Sequence, residues 1–405
     1  MAHPIYRFVN HSTLTFFRLI VSEFTQVQAG PRSGRATGVG GRKHPVKAII
    51  EGVRIAGFRA AVPPHRHSFM EDHSLFTAVE AEKLFATTGV YERRIAPPHI
   101  CASDMCVAAA EGLLAQLGWD PASVDVLVFV SQDPDYNVPA TSCVMQKRLG
   151  LATGAACFDV NLGCSGFVYG LWMAGRLLGG STGRRAIVLC GDTSSRHLVP
   201  GDRSTLPLFG DAGGAVALEV AEGATPIHVV VGTDGGGAKN IWVKAGGRRN
   251  SLVPDREPWP AEKQERMFTD SRLSLNGAEV FAFTLRAVPP LVRETLEFAG
   301  VGVEDIDLCV MHQANAFMLE HLRKKTKFPP EKFIVDMHDF GNTSSASIPL
   351  AVSHRLGEAL STGTRKMLLA GFGVGWSWGA VVADVGPIPA PAVQEIPDDF
   401  PLLTP

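Results

Sequence analysis

The sequence predicts an α/β protein built from two similar halves. Three observations carry this. Short apolar runs alternate with segments of helical spacing from about residue 47 to residue 385. Glycine is abundant, 42 of 405 residues, and falls in turns between those runs, which suits α/β architecture better than a helical bundle. Finally, three stretches recur in the same order at an offset of about 180 residues.

The repeats are short but consistent. Val124-Asp125-Val126-Leu127-Val128 resembles Ile306-Asp307-Leu308-Cys309-Val310. Phe158-Asp159-Val160 leading to Gly163-Cys164-Ser165 resembles Val335-Asp336-Met337 leading to Gly341-Asn342-Thr343. Thr182–Leu189 resembles Thr362–Leu369. The common offset implies two halves, 47–222 and 223–385, each a mostly parallel sheet with helices, related by a pseudo-two-fold. Within the first half, Ile49–Ala61 reads as a strand with its flank and Ser103–Leu117 has helical spacing. Val124–Ser131 is an apolar run of the kind found in buried parallel strands. Residues 386–405 hold six prolines and read as a tail or linker. Residues 1–46 carry several Lys and Arg but only one acidic residue, Glu23, and end in a Gly/Arg-rich stretch. They read as a flexible extension outside the core, of the composition seen in targeting peptides, over-extended starts or disordered arms.

Composition excludes several function classes. Formal net charge is −2, so the whole molecule has no footprint for nucleic acid or an anionic membrane. No apolar run approaches the ~20 residues that span a bilayer; Leu14–Phe24 is interrupted by Arg18 and Glu23. The seven cysteines are odd in number, irregularly spaced and without a CxxC pair. That pattern suits a reducing, cytoplasmic compartment and argues against a disulfide framework or a zinc site.

Four places carry candidate chemistry. Cys164 stands where a predicted strand, ending near Val160, turns into an apolar helix opening at Ser165-Gly166. A helix N-terminus there would favour the thiolate, the form needed for nucleophilic attack. Cys157, Cys190 and Cys309 sit in apolar runs and read as buried structural thiols. His312 ends the strand Leu308–Met311 and opens the polar cluster His312-Gln313-Ala314-Asn315, at the carboxyl edge of a sheet where α/β ligands bind. Asn342, in a Gly-Asn turn, is a turn former whose equivalence to Cys164 in the repeat points to a role in the site. The loop Gly371-Phe372-Gly373-Val374-Gly375 can bring a backbone N–H up to a reacting carbonyl.

Together, Gly163-Cys164-Ser165-Gly166, His312-Gln313-Ala314-Asn315, Gly341-Asn342-Thr343-Ser344 and Gly371–Gly379 resemble the β-ketoacyl-acyl carrier protein synthase III enzymes of the thiolase-like superfamily. Thr88–Ile95 and Phe209–Ala215 add to the resemblance, which runs from about residue 49 to 385. It implies a five-layered α-β-α-β-α fold from two duplicated halves, a homodimer, and a Cys164-His312-Asn342 site at the end of a pantetheine tunnel. The backbone N–H groups of Cys164 and Val374 would form the oxyanion hole, and Val138, Phe209 and Gly373 would stand at substrate-binding positions. The implied reaction loads an acyl group from acyl-CoA onto Cys164. It then condenses that group with a decarboxylating malonyl thioester, on acyl carrier protein or CoA, without metal or other cofactor.

This chain departs from the family at several positions. Lys83 and Thr87 stand where an aromatic and a basic residue usually meet the CoA nucleotide, and Phe317 replaces a carrier-docking Arg. Val138 replaces a Phe that lines the acyl pocket from the partner subunit, so a longer or bulkier acyl chain is expected. Other readings fare worse. Gly375-Trp376-Ser377-Trp378-Gly379 fits the serine-hydrolase elbow, yet a strand-like run follows it and no His lies beyond His354. A relative that passes the acyl group to an alcohol or amine would keep Cys164 but has less need of both His312 and Asn342. A non-catalytic subunit would not need Cys164 at all.

Overall fold

A computed structural model describes residues 45–253 and 258–402. The expectation of an extension over residues 1–46 therefore lies almost wholly outside the described residues.

Two six-stranded sheets form the frame. In one, the strand order is Ala392–Glu395, Val53–Val62, Ala212–Val220, Arg185–Asp192, Val126–Val130, Ala156–Val160. In the other it is Val46–Ile50, Ile227–Thr233, Ser377–Val385, Arg365–Gly373, Leu308–Met311, Phe333–Ile334. The two orders correspond strand for strand. Val126–Val130 lies parallel to both its neighbours, and so does Leu308–Met311. Beyond them the pairings turn antiparallel, except the parallel edge pair of Ala392–Glu395 with Val53–Val62. The sheets are thus mixed rather than mostly parallel. The chain reverses from Arg365–Gly373 into Ser377–Val385 within three residues, and a connection that short permits only antiparallel pairing.

Alternation along the strands builds the layers. Val126, Val128 and Val130 face one core, while Leu127 and Phe129 face another. Met367 and Leu369 face the first core, and Leu368, Ala370 and Phe372 a third. The shared core holds the inner faces of both sheets with the helices Gly166–Leu178 and Ser347–Arg355 between them. Helices Ala102–Leu117 and Thr141–Leu149 cover one outer face; Gly277–Ala299 and Ala316–Thr326 cover the other. The result is the expected five-layered α-β-α-β-α arrangement.

Two segments cross between the halves that the sequence suggests. Val46–Ile50 pairs with Ile227–Thr233 in the second sheet. Ala392–Glu395, read from its prolines as tail, pairs in parallel with Val53–Val62 of the first. Apolar anchors explain the latter, since Ile388 and Ile396 are buried. Polar ones add to them: Gln394 accepts from Arg59 at 2.8 Å and Glu395 from Arg94 at 2.6 Å.

The central helix Gly166–Leu178 packs unusually close to the first sheet. A Cβ on Gly170 would lie 2.8 Å from methyls of both Val130 and Val188. Ala is favoured over Gly in a helix by about 1 kcal/mol, whereas overpacking a tight core costs about 1–3 kcal/mol. The second effect is expected to win. Gly170→Ala should lower the denaturant midpoint, and a raised midpoint would show that the helix can retreat from the sheet.

Candidate active site

The parallel strands of both sheets end at one junction, and the loops that leave them meet there. Cys164 lies on the turn between Ala156–Val160 and the helix Gly166–Leu178, closed by a Gly166 N–H to Gly163 carbonyl bond of 2.7 Å. Cys164 is half-buried, and the N–H groups of Val374 and of Cys164 itself point at its sulfur. Gly373 stands against the thiol: a Cβ there would fall 2.7 Å from Cys164 Cβ and 2.8 Å from Sγ. Only hydrogen fits.

His312 follows the strand Leu308–Met311, and its N–H continues the ladder to the Ala370 carbonyl at 2.8 Å. Its ring is buried, edge-on to Phe372 with centroids 5.7 Å apart. Nδ1 lies 2.7 Å from Ser347 Oγ. The rest of the His312-Gln313-Ala314-Asn315 motif has other duties. Gln313 donates to the Met311 carbonyl at 2.6 Å and accepts from Asp336 N–H at 2.7 Å, tying the strand end to the next loop. Asn315 caps the helix Ala316–Thr326 by accepting from Met318 N–H at 2.8 Å.

Asn342 sits in a turn that needs glycine before it. Gly341 has φ +67°, and a Cβ there would approach the Leu208 carbonyl oxygen to 2.5 Å. Asn342 bridges Phe209 through two backbone bonds, Asn342 N–H to Leu208 carbonyl at 2.8 Å and Gly210 N–H to Asn342 carbonyl at 3.1 Å. Arg93, buried, donates to the Phe209 carbonyl at 3.0 Å and so braces that bridge from the Thr88–Ile95 segment. Asn342 Oδ1 accepts from Ser344 N–H at 3.0 Å. That bond commits the carbonyl end of the amide and turns Nδ2 outward as a donor.

Ser344 draws the three together. Its N–H fixes Asn342, its side chain hydrogen-bonds Cys164, and its backbone hydrogen-bonds His312. It holds φ +50°, rare for a residue with a side chain and a usual mark of functional loops. The sequence reading had Ser344 only as part of a turn motif. It missed Ser347 and Asp192 as well. Asp192 is buried at the end of its strand and accepts from Gln132 N–H at 2.8 Å, Ser345 N–H at 3.1 Å and Ser345 Oγ at 2.6 Å. The internal repeat pairs Asn342 with Cys164 but gives no sign of such cross-bonds.

The remaining expected positions divide. Phe209 and Gly373 are at the site; Val138 is 84% exposed. Phe317 stacks on Phe281, centroids 5.7 Å apart, and meets the His321 ring at a tilt, centroids 4.2 Å apart, and Lys83 lies on the surface of the helix Ala78–Thr88.

Electrostatics correct one expectation. The helix N-terminus was expected to favour the Cys164 thiolate. Burial outweighs it and pushes the thiol up to about 11, despite the N–H groups of Val374 and Cys164. Burial also brings His312 down to about 4, so the ring is neutral at pH 7. The resting pair is a thiol beside an uncharged imidazole, flanked by two N–H groups and an amide donor. Such a set can hold an acyl group as a thioester and stabilise an oxyanion beside it.

Two family models match, 3-oxoacyl-[acyl-carrier-protein] synthase III over residues 158–235 and its C-terminal counterpart over residues 296–385. A β-ketoacyl-[acyl-carrier-protein] synthase III of Symbiobacterium thermophilum is 35% identical over 335 residues, covering 82% of this chain and 98% of that protein. The chain belongs to the β-ketoacyl-acyl carrier protein synthase III family. A solved 3-oxoacyl-(acyl-carrier protein) synthase from Burkholderia xenovorans is 39% identical with a TM-score of 0.80, covering 88% of this chain and all (100%) of that one. The priming β-ketosynthase of a polyketide biosynthetic pathway is 27% identical with a TM-score of 0.72, covering 87% of this chain and 99% of that one. Synthase III membership fits the fold and the meeting of all four sequence motifs at one junction.

The raised thiol pKa has a direct readout. In the free enzyme the alkylation rate of Cys164 by iodoacetamide should rise about tenfold per pH unit between about pH 7 and 9, because the thiolate fraction does. A plateau beginning near pH 8 would show that burial does not control this thiol.

Proposed function

We propose that the protein catalyses a decarboxylating Claisen condensation, joining an acyl group held on Cys164 to a malonyl thioester. The observation that carries this reading is the pair of uncharged donors beside the thiol, neutral His312 and the outward amide of Asn342.

The steps follow from the site. Cys164 sulfur attacks the carbonyl of an acyl-CoA, the N–H groups of Cys164 and Val374 receive the oxyanion, and CoA leaves with the thiol proton. The malonyl thioester enters next. Its bond to the carboxylate breaks, carbon dioxide departs, and the electron pair becomes an enolate whose oxygen takes hydrogen bonds from His312 and Asn342. Ser347 Oγ accepts from Gln313 N–H at 3.4 Å and can donate to His312 Nδ1. The neutral ring carries one proton; with Ser347 Oγ donating to Nδ1 it would sit on Nε2 and be given to the enolate oxygen in place of the Ser344 carbonyl. The enolate carbon then attacks the acyl-Cys164 carbonyl, the carbon–sulfur bond breaks, the departing sulfur takes a proton from water to restore the Cys164 thiol, and a β-ketoacyl thioester leaves. The electron pair for the new bond comes from carbon dioxide loss, so the reaction balances without metal or redox cofactor.

A neutral donor pair suits an enolate better than it suits deprotonation of an alcohol or amine, which needs a base of higher pKa than about 4. Transfer to such acceptors is not favoured. The product would begin a fatty acid or a specialised polyketide-type chain. The substrates would be an acyl-CoA and a malonyl group on acyl carrier protein, and the compartment cytoplasmic. A homodimer is part of the same reading. Val138, apolar and 84% exposed beside Tyr136, suits burial against a second copy that it would supply with an acyl-pocket residue.

Intact mass after incubation with acetyl-CoA or octanoyl-CoA should show one acyl group on Cys164, discharged only on adding malonyl-acyl carrier protein. His312→Ala and Asn342→Ala should each lower condensation by about 10²–10³-fold while leaving Cys164 acylation within about tenfold. Equal loss of both steps would remove the assignment of these residues to the enolate.

A further inference from the structure

We propose that the hydroxyls of Ser165 and Ser377 form a clamp that holds the nucleophile turn and the oxyanion loop in register. The inference rests on the reading above, in which the Val374 N–H receives the thioester oxygen.

Ser165 follows Cys164 directly, and Ser377 opens the strand that leaves the Val374 loop. Both are buried, Ser165 at 0% and Ser377 at 1% exposure. Their Oγ atoms lie 2.6 Å apart, and Ser377 Oγ donates to the Val374 carbonyl at 2.7 Å. Each hydroxyl has one proton. Ser377 spends its proton on Val374, so the proton between the two oxygens is the one on Ser165. The chain therefore runs one way, from Ser165 to Ser377 to the Val374 carbonyl, and joins the helix of Cys164 to the opposite half.

The surrounding glycines show how close these segments lie. A Cβ on Gly371 would fall 2.8 Å from Ser165 Cα and 2.9 Å from the Cys164 carbonyl oxygen. One on Gly163 would fall 2.9 Å from Val374 Cγ1. Gly373 and Ser377 are Cα partners across the antiparallel pair, so Val374 lies in a turn of three residues. Fixing the carbonyl of Val374 in so short a turn fixes its N–H as well. Close packing alone sets a minimum distance; the hydroxyl chain sets direction. Loss of the Ser377 hydroxyl leaves the Ser165 O–H and the Val374 carbonyl without their partner, and loss of the Ser165 hydroxyl removes the bond that ties Ser377 and its turn to the helix of Cys164, so in either case the turn is freed to move. Ser165 and Ser377 are positioning residues, since neither touches the acyl carbon.

Two reactions of Cys164 separate the clamp from general damage. Acylation by octanoyl-CoA or acetyl-CoA, whichever loads the parent faster, needs both the sulfur and the oxyanion donors. Alkylation by iodoacetamide, followed at Cys164 by peptide mass, needs the thiolate, which the Val374 N–H helps to stabilise, but no oxyanion donor. Ser165→Ala and Ser377→Ala are each expected to slow single-turnover acylation by about tenfold or more, with alkylation at the same pH slowed by a clearly smaller factor, because it loses only the Val374 bond to the sulfur. Ser377→Thr should recover most of the rate by keeping the hydroxyl, and the double variant should be no slower than the slower single, as one chain requires. Ser165→Ala adds no bulk and serves if Ser377 variants fold poorly. Acylation unchanged in both single variants would overturn the clamp, as would acylation and alkylation falling in parallel. A parent that neither acyl-CoA modifies would instead overturn the reading of Cys164 as acyl carrier, and the two failures are thereby distinct.

Discussion

Asp192 is the joint on which the site depends. It is a carboxylate buried where the strand Arg185–Asp192 ends, and it gathers Gln132 N–H, Ser131 Oγ, Ser345 N–H and Ser345 Oγ. The first two belong to the loop after a neighbouring strand; the last two belong to the loop of Asn342 in the other half. Apolar packing between the sheets is non-directional and would tolerate small slides. A buried carboxylate with four donors does not, because each lost bond leaves a charge unsolvated. Ser345 is thus fixed, Ser344 beside it is held at its unusual φ, and through Ser344 the positions of Cys164, His312 and Asn342 follow. The adjoining pair of Asp133 and His197, 2.5 Å apart, extends the same network.

That joint also affects the chemistry. Burial and the charge of Asp133 push Asp192 up to about 6, and Asp192 in turn opposes a thiolate at Cys164. The fold therefore does not store an ion pair in its active site. It stores a neutral thiol and a neutral imidazole, with donors already aimed. Charge appears only when substrate brings a carbonyl to receive it. In a site of low dielectric, fixed dipoles of this kind are worth more than they would be in water. A lone thiolate would weaken that arrangement by drawing the N–H groups of Cys164 and Val374 to itself.

Much of this was legible in the sequence. The offset of about 180 residues corresponds to the paired strands Val126–Val130 with Leu308–Met311 and Arg185–Asp192 with Arg365–Gly373. Cys164, His312, Asn342 and the glycine loop were found because each stands where an apolar run gives way to polar or small residues. Ser344, Ser347 and Asp192 were not, because their roles lie in hydrogen bonds across the fold. Ser345 and Asp192 are 153 residues apart, and no local spacing announces that bond. The thiol pKa was misjudged for a related reason. A helix terminus can be read locally, whereas desolvation comes from everything packed around it. The proline-rich segment misled in the opposite sense: its prolines read as tail, and the buried Ile388 and Ile396 that anchor it carry no pattern of their own.

The duplication explains why two such different residues as Cys164 and Asn342 face one another. Equivalent strands, Ala156–Val160 and Phe333–Ile334, each end at the junction and feed a central helix, Gly166–Leu178 or Ser347–Arg355. In the first half the connection is short, and the thiol is delivered almost at the helix start. In the second it is longer and includes the single turn Ser344–Ala346 before the helix begins. That extra turn carries Asn342 off its helix and toward the opposite one. It also supplies the backbone that grips Cys164 and His312. A pseudo-two-fold alone would place two like groups symmetrically about the axis. The longer loop breaks that symmetry, so one half presents the nucleophile and the other the donors, and the acyl and malonyl groups can meet between them.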